Sequence, residues 1–347
     1  MKKTVFAGIA LAAAAASADV TLSGIFTDDM VLQHGRPLPV WGRAEPGESV
    51  TVAFLGNEAK AQADAAGDWE VRLPALPVVK EGAELKVTGK NTVVLKNVLV
   101  GDVWLVSGQS NSEMSFGWGI INGDAEKARA KDFPNIRSIK FNHWTSAWPV
   151  RFRTAAQGPW RVDDNGDVLN GVTAMGYFFA REINERTGIP IGILDDNWSG
   201  CCIEPFICAE GIAKVPEFAH IKAEVEKARA DMVRWSDAIQ AAKPSGDFGD
   251  VGNPPGTPFW TGQHNAMIEP IVRFPITGAL WYQGCSNGGE GRSYAKKLEA
   301  LVAGWREKWG ADFPFYIVQL SSVTEKTTDP AGGNGFARIR KIGRAHV

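Results

Sequence analysis

Three apolar segments of strand length each end in small polar residues, and this repeated pattern restricts the chain to few folds. The segments are Val103–Val106, Ile189–Leu194 and Ile276–Tyr282. Continuous apolar runs followed by turn-forming residues are typical of strands buried on both faces. From about residue 99 onward these segments alternate with helical patterns, which predicts an α/β fold with a mostly parallel sheet covered by helices on both faces.

Apolar residues at helical spacing predict three of the covering helices. Two further segments, Ile136–Phe141 and Phe315–Leu320, are predicted strands, and the Gly- and Pro-rich stretch 243–262 is a predicted surface loop that borders a cleft. The apolar helix positions are Met175, Phe178, Phe179 and Ile183; Val225, Ala228, Met232, Trp235 and Ile239; and Tyr294, Leu298, Leu301, Val302, Trp305 and Trp309.

The first part of the chain has a different pattern, with short stretches in which apolar and polar residues alternate. Examples are Ser49–Phe54, Trp69–Leu73 and Glu84–Thr88, separated by turn sequences such as Lys80–Gly82. Short strands at regular spacing predict a small all-β sandwich over residues 19–98. We expect it to support the second domain, with carbohydrate contact as the alternative.

The N-terminus has the features of an export signal. Two lysines follow Met1, an apolar stretch covers Val5–Ala15, and Ala16–Ala18 forms a small-residue cleavage site. This pattern predicts a signal peptide over residues 1–18 and a periplasmic or secreted product, and the apolar stretch is too short to span a bilayer. The net charge of −2, without a long basic run, argues against nucleic acid as a partner.

The sequence is compatible both with free cysteines and with a disulfide. In an exported chain, Cys201, Cys202, Cys208 and Cys285 allow three pairings, and a disulfide from Cys285 to the Cys201/Cys202 pair is as compatible with the sequence as free thiols. A zinc site that includes His264 is disfavoured because no Cys-x-x-Cys spacing is present. We therefore expect no metal and no cofactor.

Ser110 is the candidate nucleophile. It lies just past the first apolar segment, where open α/β sheets bind ligands. The second glycine of a Gly-x-Ser-x-Gly elbow is absent, because Ser112 occupies that position, so an ordinary Ser/Asn turn is the alternative. If the three strand ends share one rim, the Gly200 backbone N–H and the Gln283 amide are candidate donors to an oxyanion.

Three ordered blocks resemble the bacterial sialate O-acetylesterases of the SGNH-hydrolase superfamily. Gly101–Ser112 matches the family's Gly-Asp-Val-Trp-Leu-x-Ser-Gly-Gln-Ser-Asn-Met except at Ser112. Trp198–Phe206 is an altered form of Trp-Gly-Gly-Thr-Pro-Ile-Glu-Ala-Trp. Gly278–Asn287 matches Gly-Ala-Leu-Trp-Tyr-Gln-Gly-Glu-Ser-Asn, with Cys285 in place of the acid.

The resemblance extends from about Gly24 to Arg340 and implies a flavodoxin-like SGNH-type esterase domain over residues 99–340. It implies an exported serine esterase that hydrolyses O-acetyl esters of sialic acids through an acetyl-serine intermediate, without a cofactor. The implied catalytic residues are Ser110, Gly200 and Gln283, and the expected substrate contacts are Asn111, Asn287 and His264.

The resemblance leaves one catalytic element unaccounted for. The family places its catalytic histidine in a late Asp-x-His-Pro segment, and this sequence contains none. Phe336–Arg340 resembles the family's Trp-x-x-Leu-Arg helix start, whereas Lys341–Val347 resembles a translated sequencing adaptor. We therefore expect residues 341–347 to be a non-native tail, His346 to be a poor candidate base, and the truncated chain to have little or no esterase activity.

Two other functions fit the same residues. One is an esterase for acetyl-xylan or another acetylated carbohydrate, with unchanged machinery. The other is a non-catalytic glycan-binding protein, which the altered second block, Cys285 and the missing base would suit. The sequence leaves the sugar preference and the oligomeric state open.

Overall fold

The computed structural model describes residues 19–152, 158–163, 165–242, 256, 259–321 and 335–343. The predicted signal peptide and most of the loop 243–262 lie outside these ranges. None of the helices within them is long and apolar enough to cross a membrane. The strands are β1 (Thr21–Leu22), β2 (Val31–Gln33), β3 (Leu38–Arg43), β4 (Ser49–Phe54), β5 (Asn57–Gln62), β6 (Asp68–Leu73), β7 (Val79–Thr88), β8 (Thr92–Gly108), β9 (Ile136–Lys140), β10 (Arg161–Val162), β11 (Ile191–Asn197), β12 (Gly278–Tyr282) and β13 (Phe315–Ile317). The α-helices are α1 (Ser110–Glu113), α2 (Gly123–Arg129), α3 (Ala174–Thr187), α4 (Ala209–Lys214), α5 (Ala219–Ala242), α6 (Ser293–Trp309) and α7 (Gly335–Gly343), and a π-helix spans His264–Ile268.

Strand β8 is the centre of the fold. Its first half pairs with β2 and β7, and its second half lies between β11 and β12, parallel to both. The larger part of the sheet has the order β10-β9-β11-β8-β12-β13, and only the pairing of β10 with β9 is antiparallel. The structure therefore confirms the predicted α/β class, with a mixed sheet that is parallel around β8.

Alternation along β8 explains how both faces of this sheet are covered. Val103 and Leu105 belong to one buried cluster, which includes apolar residues of α6, whereas Trp104 and Val106 belong to a second cluster against α3. Because successive side chains of a strand point to opposite faces, a continuous apolar run needs a cover on each face. All three predicted helices are present, as α3, α5 and α6.

The N-terminal strands form two sets. Strands β1, β3 and β6 make a three-stranded antiparallel sheet, while β4, β5 and β7 continue the sheet that contains β8. Along β4 the side chains at positions 50, 52 and 54 are buried and those between them are not, and the buried ones share a cluster with Val40 and Val71 of the other sheet. This is the burial expected of a small β-sandwich, which stays a prediction.

Two local expectations were wrong. Lys80–Gly82 lies within β7 rather than in a turn, and the pairing of β7 with β8 shifts register at this point. A Cβ at Gly82 would come within 2.9 Å of the Asn97 Cα, so the glycine permits close approach at a bulge. Asp195–Asn197, expected to begin the turn after β11, are its last three residues.

Buried polar contacts join the N-terminal strands to the larger sheet. Gln33 Oε1 accepts hydrogen bonds from the Val103 N–H at 2.9 Å and from the Thr277 hydroxyl at 2.8 Å. Arg137 donates to the Asp29 carbonyl at 3.0 Å, and burial lowers the pKa of Arg137 to about 10. The proposed domain boundary after residue 98 falls inside β8, and the division into domains stays a prediction.

Candidate active site

The candidate nucleophile follows Gly108, where the pairing of β8 with β12 leaves no room for a side chain. Gly108 ends β8 with φ of +143°, and a Cβ there would lie 2.3 Å from the Tyr282 carbonyl oxygen. Gln109 then caps α1, and Ser110 is its first residue, half-buried. Among the described residues, the Ser110 hydroxyl has no hydrogen-bond partner. A hydroxyl left open beside the end of a central strand is suited to attack a ligand there.

The ends of three strands lie level with one another. Gly108 is paired with Asn197 at the end of β11 and with Tyr282 at the end of β12. The Trp198 N–H then donates to the Gly108 carbonyl at 3.0 Å, and the Gln109 N–H donates to the Tyr282 carbonyl at 3.0 Å. The structure thus brings the three polar segments that follow these strands to one rim.

Side chains connect the three segments further. Gln109 Oε1 accepts hydrogen bonds from the backbone N–H groups of Gly284 at 3.0 Å and Ser286 at 3.3 Å. The Ser286 hydroxyl donates to the Gly200 carbonyl at 3.2 Å. Gly200 itself is exposed, has φ of +74° and has open space where a Cβ would be. Its backbone is therefore accessible at the rim that carries Ser110.

The Gln283 side chain lies in this cluster, but its amide groups already hydrogen-bond to other residues of the protein. Its side chain is 2% exposed, and its amide nitrogen donates to the Cys201 carbonyl at 3.2 Å and to Asn287 Oδ1 at 2.7 Å. Its amide oxygen accepts from the Tyr294 hydroxyl at 2.8 Å. A role for Gln283 as an oxyanion donor stays a prediction, and it requires the longer of these donor contacts to be exchanged for one to substrate.

Asn287 continues this polar network away from the rim. Its amide nitrogen donates to Glu204 Oε2 at 3.0 Å and to Glu290 Oε1 at 2.8 Å, and Lys297 pairs with both carboxylates. Burial disfavours the charged form of Lys297, but its hydrogen bonds to these carboxylates outweigh burial and raise its pKa. Asn287 is 1% exposed, so its expected contact with substrate also stays a prediction.

The other predicted site residues differ in exposure. Asn111 is half-buried beside Ser110. His264 is buried in the π-helix, 3.9 Å from Glu269 Oε2, with neither ring nitrogen hydrogen-bonded, and burial lowers its pKa to about 3. Its contact with substrate stays a prediction.

The four cysteines are free thiols, so the disulfide considered from the sequence is not formed. Within the described ranges, no group of three or more His, Cys, Asp or Glu side chains is placed to hold a metal.

Sequence analysis missed Glu113, which is buried at the end of α1. Its Oε2 accepts hydrogen bonds from the Ser199 N–H at 2.7 Å and from the Ser199 hydroxyl at 2.6 Å. His143 Nε2 lies 2.9 Å from Glu113 Oε1, out of hydrogen-bond alignment, and its ring stacks on Trp198 with centroids 4.8 Å apart. The spacing of three residues between Ser110 and Glu113, which places them on one helical turn, was the available signal.

Asp195 is a second buried acid near the rim. Its carboxylate accepts from the Thr173 N–H at 3.0 Å and from the Asn197 amide at 2.6 Å, and Lys140 Nζ lies 4.0 Å away. Complete burial raises the pKa of Asp195 to about 6, against the opposing effect of Lys140. Thr173 in turn donates from its hydroxyl to the Ser112 carbonyl at 2.6 Å, so Asp195 supports α1 through Thr173.

Known proteins resemble this chain over most of its length. It is 26% identical over 329 residues to the sialate O-acetylesterase of Rattus norvegicus, and the match covers 87% of this chain. It is 27% identical over 346 residues to the sialate O-acetylesterase of Homo sapiens, covering 90% of this chain. The chain is a homologue of the sialate O-acetylesterases.

The chain spans 59% of the length of these curated relatives. It is also similar to the crystal structure of a carbohydrate acetylesterase from Xanthomonas citri, with 29% identity and a TM-score of 0.73, over 94% of this chain and 66% of that chain. No protein-family model matches the sequence.

Proposed function

We propose that the chain contains the nucleophile and the oxyanion-binding part of a serine esterase that removes O-acetyl groups from glycans. The observation that carries the proposal is the Ser110 hydroxyl, which no residue of the described ranges hydrogen-bonds, at the rim where the Gly200 and Gln283 segments are tied to the end of β8. The names of the relatives support an acetyl ester as the substrate class.

In the proposed reaction, Ser110 Oγ attacks the acetyl carbonyl carbon, and its proton passes to a base. The backbone N–H groups of Ser110 and Gly200, with the Gln283 amide, stabilise the tetrahedral oxyanion. The sugar hydroxyl then leaves with the proton, which gives acetyl-Ser110, and water releases acetate by the same two steps. No cofactor enters this scheme, since its steps use only the serine, a base, N–H donors and water.

The base is proposed to be the histidine of an Asp-x-His-Pro segment, a sequence that residues 1–347 do not contain. Within the described ranges, no histidine hydrogen-bonds to Ser110. His34 pairs with Asp102 far along β8 from Gly108, and His264 is buried. A histidine is required because a neutral serine hydroxyl is a weak nucleophile.

Sialic acids are the proposed sugars, and export to the periplasm or medium is the proposed location. The relatives named for sialate support the first, and the N-terminal sequence supports the second. We propose residues 19–98 as a supporting β-sandwich and 99–340 as the esterase domain. An esterase for other acetylated carbohydrates is the second candidate, since the Xanthomonas citri structure is named for that broader class.

The test measures acetate release from 9-O-acetylated sialic acid and from acetyl-xylan. It uses residues 19–347 and, in parallel, the protein read from the complete genomic reading frame. We expect the sialate ester to be the better substrate of the protein from the complete reading frame and Ser110→Ala to abolish release. Ser49→Ala, an exposed serine on β4, is the matched control. Retention of a sialoglycan without acetate release would identify a glycan-binding protein instead.

A further inference from the structure

Glu113 makes two of the contacts that fix the turn carrying Gly200. Both of its bonds to Ser199, from the backbone N–H at 2.7 Å and from the hydroxyl at 2.6 Å, converge on one carboxylate oxygen. Glu113 is also buried, so water does not readily replace it as the acceptor.

The same residue is rigidly connected to the nucleophile. Ser110 and Glu113 lie on one helical turn, and the backbone N–H of Glu113 donates to the Gln109 carbonyl at 3.0 Å. The contact from Glu113 to Ser199 spans 86 positions of sequence. The Glu113 side chain therefore links the turn that presents Ser110 directly to the turn that presents Gly200.

We propose that Glu113 is a positioning residue that holds the Ser199-Gly200 turn so that the Gly200 N–H faces the oxyanion formed at Ser110. Its catalytic consequence rests on the proposed function. An oxyanion donor contributes only when it lies within hydrogen-bond distance of the developing charge, so a small displacement of the turn lowers kcat and leaves KM little changed.

The test separates the position of the oxygen acceptor from the charge of Glu113. Glu113→Gln keeps an acceptor at the same reach and removes the charge. Glu113→Asp keeps the charge but shortens the side chain by one methylene, which moves the acceptor away from Ser199. Glu126→Asp is the matched control, because Glu126 lies on α2 and pairs with Arg181.

Kinetics of aryl acetate hydrolysis by the complete reading frame give the first readout. We expect kcat to fall about 10- to 100-fold in Glu113→Asp, below the roughly 10²–10³ for full loss of one donor. Glu113→Gln should stay within about threefold, and KM should be unchanged in both. A normal kcat in Glu113→Asp with a large loss in Glu113→Gln would show that charge matters instead of position, and would overturn the proposal.

Hydrogen exchange at the Ser199 amide gives a second readout that needs no activity. We expect exchange to be at least about tenfold faster in Glu113→Asp than in wild type, and unchanged in Glu113→Gln and Glu126→Asp. Unchanged exchange in Glu113→Asp overturns the inference, whatever the enzyme activity. If exchange follows the expected order while no form hydrolyses esters, the proposed function fails and the positioning of the turn stands.

Ser199→Ala keeps the proposal testable if Glu113→Asp folds poorly. It removes the hydroxyl contact and retains the backbone one, so a smaller loss in kcat is expected. An unchanged kcat in Ser199→Ala alone would overturn the proposal. Where Glu113→Asp does fold, both changes act on one contact, so the loss of kcat in the double variant should be smaller than the product of the two single losses. Fully multiplicative losses would overturn the proposal.

Discussion

Individual buried acids determine much of the behaviour expected of this molecule. Asp195 is fully buried, and burial raises its pKa to about 6 from 3.8. Up to about pH 6 the folded protein therefore keeps a proton that the unfolded chain releases near 3.8. Between these two values the folded state binds more protons, so the contribution of Asp195 to the free energy of unfolding decreases as the pH rises.

Asp195→Asn removes this dependence. We expect the free energy of unfolding of wild type, relative to the variant, to fall by about 2 kcal/mol between pH ~4 and pH ~7, since one pKa unit corresponds to about 1.4 kcal/mol. Urea unfolding of both proteins across this range measures the difference. A difference that does not change with pH would show that Asp195 ionises normally in the folded protein.

Gln283 provides a second test at this scale. Gln283→Ala removes a proposed oxyanion donor, so we expect kcat for aryl acetate hydrolysis to fall about 10²–10³-fold. Tyr294→Phe is the matched variant. It removes the hydroxyl that contacts Gln283 Oε1 at 2.8 Å and the Gln283 carbonyl at 3.2 Å and that accepts from Trp281 Nε1 at 3.3 Å, and it leaves the Gln283 amide N–H groups in place. Equal losses of kcat in the two variants would indicate that Gln283 has a structural role only.

Strands and helices were predictable where their residue pattern is periodic. Strand β4 begins and ends where the alternation of Ser49–Phe54 predicts, and α6 buries the apolar face predicted from its helical spacing. The length of β8 was not predictable, because its two halves pair with different partners and only the second half has a continuous apolar run. The bulge at Gly82 was read as a turn because glycine serves both features.

The candidate site shows the same division between local and distant information. Ser110 stood out from a local pattern of strand and turn. Its link to the Gly200 turn through Glu113 did not, because that contact joins residues 86 positions apart. The hydrogen bonds from the Gln283 amide to Cys201 and Asn287 were likewise not predictable, because they depend on how distant segments pack.

The level ends of β8 and β12 lead to a prediction for Gly108. Gly108→Ala places a Cβ 2.3 Å from the Tyr282 carbonyl oxygen, so the two strands must separate. We expect a loss of more than about 2 kcal/mol in the free energy of unfolding, measured in urea. Gly47→Ala is the matched control, since Gly47 has φ of +81° and open space, and should cost about 1 kcal/mol. Equal losses would contradict a steric requirement at Gly108.

For the molecule as a whole, the sheet explains why one rim carries the site. Three parallel strands, β11, β8 and β12, end at the same level, and the helices on both faces leave their ends as the open edge. Ligands of open α/β sheets bind at such edges. The N-terminal strands β2 and β7 pair with the first half of β8, away from this rim, and Gln33 also bonds to Val103 and Thr277.

Covalent labelling tests the central claim, that Ser110 is the nucleophile of an esterase, most directly. The protein read from the complete genomic reading frame is treated with an aryl organophosphate, which phosphorylates activated serines, and the modified peptide is located by mass spectrometry. The account predicts one adduct, on Ser110, with loss of acetate release in proportion to labelling. An adduct on another residue, or full acetate release by Ser110→Ala, would contradict it.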